Sequence, residues 1–249
     1  MVTRRHLLRS IAATAAVAAG GLPFAARATD PRPMVNGPVV VELFTSQGCS
    51  SCPAADKFLA ELAGRGDVVA LSFHVDYWNY MGWVDPFSRA DNSARQRGYK
   101  TAMGLRYVYT PQMVIDGQAQ AIGTERDTVD RLIGEAAARP HLPVELTQNG
   151  DTVSVVLPAR DQADVAVVWL AVFDRTHKTN VERGENTGRS IVNAHVVHTM
   201  VPIGKWTGQA LQLTYTTDTL TPQRGAAIIV QKKGHGPILG AAMIRPPTS

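Results

Sequence analysis

The sequence predicts an α/β domain with a mixed central sheet and flanking helices, followed by a mainly antiparallel, β-sandwich-like domain. Between residues 38 and 139, short apolar runs alternate with amphipathic segments, which is typical of strands packed against helices. From residue 141 onward the helical periodicity disappears, and short alternating runs are separated by polar turns. Prolines 140 and 143 mark the junction, so the predicted domains are 38–139 and an accessory domain, 141–249.

In the first domain the predicted order is strand, helix, strand, helix, strand, strand, helix. The run from Val68 to Val75 is almost continuously apolar, as expected of a buried strand. Asp116-Gly117 is a hairpin signal, and Pro140 ends the last helix. The predicted strands are 39–45, 68–75, 112–115 and 118–122, and the predicted helices follow Cys52, Pro86 and Thr124.

The second domain is predicted to contain strands only. Asn149-Gly150 is a strong hairpin signal between its first two strands. The segment from Val181 to Arg189 is polar, charged and Gly-rich, which is typical of a solvated loop or, as the alternative, of a recognition loop. The predicted strands are 144–147, 153–157, 164–173, 191–201, 211–215, 226–231 and 237–243.

Residues 1–28 have the features of an export signal peptide. An arginine-rich start precedes residues 11–24, which are apolar but too short to span a membrane, and residues 26–28 form an A-x-A cleavage site. The pair Arg4-Arg5 resembles a twin-arginine signal, and an ordinary Sec signal is the alternative. Residues 29–37 would then be a leader, and we expect the mature protein to be periplasmic or secreted.

Removal of this signal changes the net charge. The chain has 25 basic and 21 acidic residues, for a formal net charge of +4. Four of the basic residues are arginines within 1–28, so 21 remain against 21 acidic residues and the mature chain is neutral. This balance gives no reason to expect a nucleic-acid partner. No second apolar segment is long enough to cross a membrane, so we expect no membrane span after signal removal.

The only two cysteines, Cys49 and Cys52, lie between an apolar strand and an amphipathic helix. A helix N-terminus favours a thiolate, because its free N–H groups and its dipole stabilise negative charge. We therefore expect Cys49 to be the more exposed, nucleophilic thiol and Cys52 to be the resolving thiol. The reactive group is the disulfide itself, with no separate cofactor. A structural disulfide and a metal-binding pair are the alternatives.

Five neighbouring residues are candidates for supporting this pair. Ser50 and Ser51 either donate hydrogen bonds to the Cys49 thiolate or simply begin the helix. Pro53 suits the first helical turn, where its missing N–H costs nothing. His74 and Asp76 share a face of an alternating strand, and they either assist proton transfer or fix the following loop.

The segment from Tyr109 to Gly117, about 60 residues after the cysteine pair, resembles the cis-proline segment of thioredoxin-like oxidoreductases. The resemblance implies that Pro111 is cis and faces the cysteines, and that the backbone of Thr110 binds a substrate peptide. Two features differ from thioredoxins proper: Gly48 replaces a tryptophan, and Ser50-Ser51 replaces Gly-Pro. The direction of electron flow therefore does not follow from the resemblance.

The whole mature chain resembles a bacterial family of exported proteins of unknown function, in which a thioredoxin-like domain precedes a β-rich domain. The most specific matches are residues 44–53, Thr110-Pro111 and residues 183–186. Membership implies a fold and a redox site, but no substrate.

Three functions are compatible with these patterns. The leading hypothesis is an exported thiol–disulfide oxidoreductase that exchanges with protein or small-molecule disulfides, or with a redox partner protein. The second is a copper chaperone, because two thiolates with His74 or a nearby methionine would suit Cu(I). The third is a non-catalytic binding protein with a structural disulfide.

No separate metal site is predicted, since His195 and His198 point to opposite faces of a strand unless a bulge intervenes.

Overall fold

The computed structural model describes residues 37–161 and 165–246. The predicted signal peptide, 1–28, and the predicted leader, 29–37, lie outside the described residues except for Gly37. Among the described residues, no helix is long and apolar enough to cross a membrane.

The described part of the chain forms three α-helices, a short 3-10 helix (Asn79–Met81) and eleven strands. The helices are α1 (Cys52–Ala63), α2 (Ala90–Ala102) and α3 (Arg126–Ala137). The strands are β1 (Val39–Thr45), β2 (Val68–His74), β3 (Gln112–Ile115), β4 (Ala119–Ile122), β5 (Glu145–Asn149), β6 (Thr152–Leu157), β7 (Ala166–Asn180), β8 (Ser190–Trp206), β9 (Leu211–Thr216), β10 (Arg224–Lys232) and β11 (Ile238–Ile244).

Eight of these strands form one sheet in the order β11-β10-β7-β8-β2-β1-β3-β4. Strand β2 runs parallel to β1 on one side and to β8 on the other, and the remaining neighbours are antiparallel. Strands β5, β6 and β9 form a second, antiparallel sheet. The sheet therefore continues across the predicted junction at residue 140.

The accessory domain predicted at 141–249 is consequently not a separate sandwich. Four of its strands extend the sheet of the first domain, and only the small sheet stands apart. The reason is the length of β7 and β8, which have 15 and 17 residues and form a long two-stranded ribbon. One edge of this ribbon pairs with β2 through Ser72 and Val196.

The central strands are buried on both faces, as their apolar sequences require. All seven residues of β1 and all seven of β2 are buried. On one face, Val41 and Leu43 belong to the same core cluster as residues of α1 and α3. On the other face, Val40 and Phe44 pack with Tyr99 of α2. The mixed sheet is thus covered by helices on both sides near the cysteines.

The small sheet covers one face of the ribbon and of β10. Val153 and Val155 of β6 pack in one cluster with Val168 of β7 and Ile228 of β10. Two apolar layers therefore meet in this part of the molecule, although the larger layer is shared with the first domain.

Helix α2 begins later than predicted. The sequence suggested a helix from Pro86, whereas the first helical residue is Ala90. The intervening residues turn instead, because the backbone N–H of Ser88 donates to the Asp85 carbonyl and that of Arg89 donates to the His74 carbonyl. This turn returns the chain to the end of β2.

A buried ion pair joins β1, α2 and β10. The guanidinium of Arg95 donates to Glu42 from Nε, at 2.5 Å, and from Nη2, at 2.7 Å. The Tyr99 hydroxyl donates to the same carboxylate at 2.5 Å, and Arg95 also donates to Gln231 at 3.1 Å. Glu42 is fully buried and Arg95 nearly so, and together they connect the two sequence halves.

Removing one member of this pair should be costly. We expect Arg95→Met to lower the free energy of unfolding by about 3–5 kcal/mol, because Glu42 would remain as an uncompensated buried charge. Urea unfolding measures the difference. The matched control is Arg65→Met, which removes an exposed partner of Asp67 and should cost no more than about 1 kcal/mol. Equal costs for the two variants would contradict this account.

Candidate functional site

Cys49 and Cys52 form a disulfide at the junction between β1 and α1, with their Cα atoms 5.4 Å apart. Two tight turns shape the junction: the Cys49 N–H donates to the Ser46 carbonyl, and the Cys52 N–H donates to the Cys49 carbonyl. Pro53 occupies the first turn of α1. These turns hold the disulfide at the N-terminus of the helix, where the sequence predicted it.

Both cysteines are buried, whereas Ser50 and Ser51 between them are exposed. Cys49 is 1% exposed and Cys52 0%, so in the disulfide neither sulfur has appreciable contact with solvent. Of the two serines, Ser51 contacts the sulfur of Cys49, with its hydroxyl 3.3 Å from Sγ. Ser51 is also the N-cap residue of α1, but its side chain makes no capping hydrogen bond.

The segment before β3 lies against the disulfide. The Thr110–Pro111 peptide bond is cis. The carbonyl oxygen of Thr110 lies 3.8 Å from Sγ of Cys49. The Thr110 hydroxyl accepts a hydrogen bond from the indole N–H of Trp78 at 2.7 Å, which fixes this segment against the loop after β2.

The loop at the tip of the β7–β8 ribbon covers another side of the cysteine turn. The Asn186 amide donates to the carbonyls of Gln47, at 2.9 Å, and of Cys49, at 2.8 Å, and its side chain is fully buried. The carboxylate of Glu185 accepts a hydrogen bond from the Ser50 N–H at 3.0 Å. The sequence allowed this segment to be either a solvated loop or a recognition loop. In the structure it binds the turn that carries the disulfide.

The position of Glu185 affects the chemistry of Cys49. A carboxylate near a thiol disfavours the thiolate, and here it also occupies the N–H of Ser50. We therefore expect the charge of this loop to favour the disulfide over the charged reduced form.

His74 lies at the end of β2 in a buried hydrogen-bonded pair with Asp85. Its Nδ1 is 2.7 Å from Oδ2 of Asp85, and the same oxygen accepts from the Gln47 N–H at 2.8 Å. Burial opposes a charged imidazole, but the neighbouring carboxylate outweighs burial and holds the pKa of His74 above its usual value. His74 thus supports the cysteine turn through Asp85 and Gln47.

Asp76 does not lie with His74. Strand β2 ends at His74, so the alternation expected from the sequence stops before Asp76. The Asp76 carboxylate instead accepts a hydrogen bond from the Ser93 hydroxyl of α2 at 2.5 Å. Asp76 therefore fixes the loop after β2, which was the alternative to proton transfer.

Sequence reasoning missed Asp56, which lies one turn after Cys52 on α1. Its side chain is buried, and its carboxyl lies near the Thr45 hydroxyl and the Asn193 amide without a well-aligned hydrogen bond to either. Burial raises the pKa of Asp56 to about 7, against the opposing charge of His74 and the nearby Thr45 hydroxyl. Residues four apart on a helix share a face, so this carboxyl lies on the side of α1 that carries Cys52. The available signal was a charged residue among the buried apolar positions of an amphipathic helix.

A second cluster of ionisable groups lies on the β7–β8 ribbon. It consists of Asp174, His177 and His198. Each offers one side-chain atom that could bind a metal ion, and these three atoms lie within 4.8 Å of one another. His195 is not part of it, because its Nδ1 lies 2.8 Å from the Ala70 carbonyl. The sequence drew attention to the pair His195 and His198, and the structure separates them.

A family model described as a protein of unknown function (DUF1223) matches residues 40–231. The chain belongs to this family. The crystal structure of protein AGR_C_4864 from Agrobacterium tumefaciens is similar, with 33% sequence identity and a TM-score of 0.74 over 88% of this chain and 97% of that one. HBP35 of Porphyromonas gingivalis resembles this DUF1223 protein in fold alone, with 13% identity and a TM-score of 0.59 over 86% of this chain and 77% of that one. No curated protein matches.

Neutralising Asp56 should alter the pH dependence of stability. A carboxyl whose pKa rises on folding stabilises the native state below its unfolded pKa, and this contribution is lost as the pH rises through the folded pKa, about 7 here. We therefore expect Asp56→Asn to have the same free energy of unfolding as the parent near pH 4. At pH 8 its free energy of unfolding should be higher than that of the parent by up to about 4 kcal/mol.

Urea unfolding at several pH values tests this expectation. The control is Asp218→Asn, an exposed carboxylate, which should leave the profile unchanged. A loss of stability at pH 8 in Asp56→Asn would show instead that the carboxylate is stabilised by a partner.

Proposed function

We propose that this DUF1223 protein is an exported thiol–disulfide oxidoreductase of thioredoxin-like architecture. The observation that carries the proposal is the disulfide at a strand-to-helix junction, with Sγ of Cys49 3.8 Å from the carbonyl of Thr110 in a cis Thr110–Pro111 segment. Export rests on the sequence of residues 1–28. A periplasmic or secreted location would suit a resting disulfide.

The arrangement of the first half supports the thioredoxin-like part of the proposal. Strands β2, β1, β3 and β4 are adjacent in that order, with β1 parallel to β2 and antiparallel to β3. Helices α1 and α3 pack on one face, and α2 packs on the other. The cysteine turn connects the first strand to the first helix, and the cis proline enters β3.

The chemistry would proceed by two exchanges of thiol and disulfide. In the reduced protein, the Cys49 thiolate attacks one sulfur of a substrate disulfide, forming a mixed disulfide and releasing the other substrate sulfur, which takes up a proton. Cys52 then loses its proton and attacks Sγ of Cys49. The second substrate sulfur leaves as a thiol, the substrate gains two electrons, and the protein retains the Cys49–Cys52 disulfide. The reverse sequence oxidises a dithiol.

Asp56 would serve the second exchange. Its carboxyl lies one turn beyond Cys52 and has a pKa of about 7 because of burial. A base with a pKa near the working pH can accept a proton and later return it. We therefore assign Asp56 the role of exchanging the proton of Cys52.

A protein partner suits the surroundings better than a small disulfide. A cleft of about 530 Å³ is lined by Tyr107, Tyr109 and Ile122, among others, and Tyr109 directly precedes Thr110 in the chain. Tyr107 is 69% exposed and Ile122 is 43% exposed. Exposed aromatic and apolar side chains are typical of surfaces that bind a protein partner. The Thr110 backbone would then align the peptide with Cys49.

Burial of both cysteines supports a second candidate, a binding protein with an inert disulfide. Cys49 and Cys52 are 1% and 0% exposed, and a nucleophile must be reached by its substrate. The copper-chaperone hypothesis draws less support, because among the described residues the two cysteines belong to no cluster of three potential metal ligands. A reduction potential between about −120 and −270 mV would favour the oxidoreductase, and one below about −300 mV would favour the inert disulfide.

Single substitutions of the cysteines should give different outcomes. Cys49→Ser should abolish reduction of an insulin disulfide, because the nucleophile is lost. Cys52→Ser should accumulate a mixed disulfide with the substrate, because the resolving thiol is lost. Non-reducing gel electrophoresis and mass spectrometry detect this adduct, with Ser50→Ala as the control that leaves both sulfurs in place. Full activity in both cysteine variants would overturn the mechanism.

Glu185 should affect the reduction potential of the Cys49–Cys52 pair. We expect Glu185→Gln to make it more positive by about 20 mV, since removing the carboxylate from the Ser50 N–H makes the Cys49 thiolate more favourable. Equilibration against glutathione with thiol labelling measures the shift. Glu182→Gln, an exposed change in the same loop, should leave the potential unchanged. A shift to a more negative value would contradict this role.

A further inference from the structure

We propose that Asp174, His177 and His198 form a binding site for a divalent transition-metal ion of the zinc class. Their three candidate ligand atoms lie within 4.8 Å of one another. They belong to the ribbon rather than to the cysteine turn, so this site is distinct from the proposed redox pair.

The irregular backbone of the ribbon brings these side chains to one side. In a regular strand, residues three apart point to opposite faces, so Asp174 and His177 would be separated. The β7–β8 register shifts between Val172 and Phe173, which leaves His198 of β8 without a partner in the ladder, whereas the register from Asp174 to His177 is regular. His195 has a φ of 47°, which lies in the left-handed region. Such bulges redirect side chains and are frequent next to functional sites.

The three groups have the chemistry that a borderline metal prefers. Oδ2 of Asp174 lies 2.5 Å from Nε2 of His177, and the same oxygen contacts Nε2 of His198. Two imidazoles and one carboxylate are a common ligand set for zinc and other divalent transition metals. The ligand atoms of a tetrahedral zinc ion lie about 3.3 Å apart, given metal–ligand bonds near 2 Å. Small outward shifts of the two rings therefore suffice.

Neighbouring side chains hold the ligands in place. Nε of Arg224 donates to Oδ1 of Asp174 at 3.0 Å, which leaves Oδ2 directed at the two histidines. The ring of Phe87 lies 4.6 Å from that of His177 and 6.5 Å from that of His198. Supporting contacts of this kind orient the ligands of metal sites and increase their affinity.

The partial exposure of the cluster suits exchange with solvent. The side chains of Asp174, His177 and His198 are 19%, 31% and 25% exposed, so an ion can enter without unfolding the ribbon. Three protein ligands leave a fourth position for water or a further ligand, as in open zinc sites. The positive charge of Arg224 opposes that of the ion, so we expect micromolar rather than nanomolar affinity.

Zinc titration of metal-free, tag-free protein tests the proposal. The disulfide is kept oxidised, which prevents binding by thiolates, and a chromophoric chelator reports the free zinc concentration. We expect one zinc ion per chain, and at least tenfold weaker binding in His177→Gln and in His198→Gln. The control His235→Gln changes a histidine outside the cluster and should keep the parent affinity.

Cobalt supplies an independent readout. Co²⁺ bound to two imidazoles and a carboxylate should give visible absorption bands in the parent protein that zinc abolishes and that His177→Gln lacks. Thermal unfolding checks that the variants remain folded; if His198→Gln is unfolded, the more exposed His177→Gln decides. Unchanged zinc affinity in His177→Gln, or no saturable binding below about 100 μM zinc, would show that the cluster is a hydrogen-bonded network only.

Discussion

The β7–β8 ribbon is hydrogen-bonded into the same sheet as β1 and β2, and this constraint positions the rest of the molecule. Because the base of the ribbon is fixed beside β2, its tip loop is fixed beside the turn that carries the cysteines. Asn186 can then satisfy two carbonyls of that turn, and Asn193 accepts a hydrogen bond from Gln47. The second half of the sequence therefore completes a site whose cysteines and cis proline come from the first half.

The interior beneath the disulfide is unusually polar for the centre of a sheet. His74 and Asp85 form a hydrogen-bonded pair, whereas burial raises the pKa of Asp56 to about 7. A carboxyl whose pKa rises on folding lowers stability once it ionises, so above neutral pH this arrangement costs stability near the proposed reaction centre. The buried pair of Glu42 and Arg95 lies in the same sheet but is fully satisfied, and it acts only to join β1 to α2 and β10.

Local patterns in the sequence predicted the first seven elements and the location of the cysteines, because strand alternation, helix periodicity and turn residues depend on near neighbours. The helix that begins at Cys52 and the hairpin at Asp116-Gly117 are examples. The sheet shared across residue 140 depends on pairing between Ser72 and Val196, which are 124 positions apart and carry no local signal. The roles of Asn186 and Asp56 were missed for the same reason, since their environments arise only from tertiary packing.

The order of the strands has a consequence for synthesis on the ribosome. Strand β2 is complete by residue 74, but its second neighbour, β8, begins at residue 190. During elongation the nascent chain therefore holds an apolar strand with an unpaired edge for more than one hundred further residues. Such edges associate with other chains, so the edge of β2 is a site of intermolecular pairing until β8 is synthesised. A fold of this kind is completed late and as a whole.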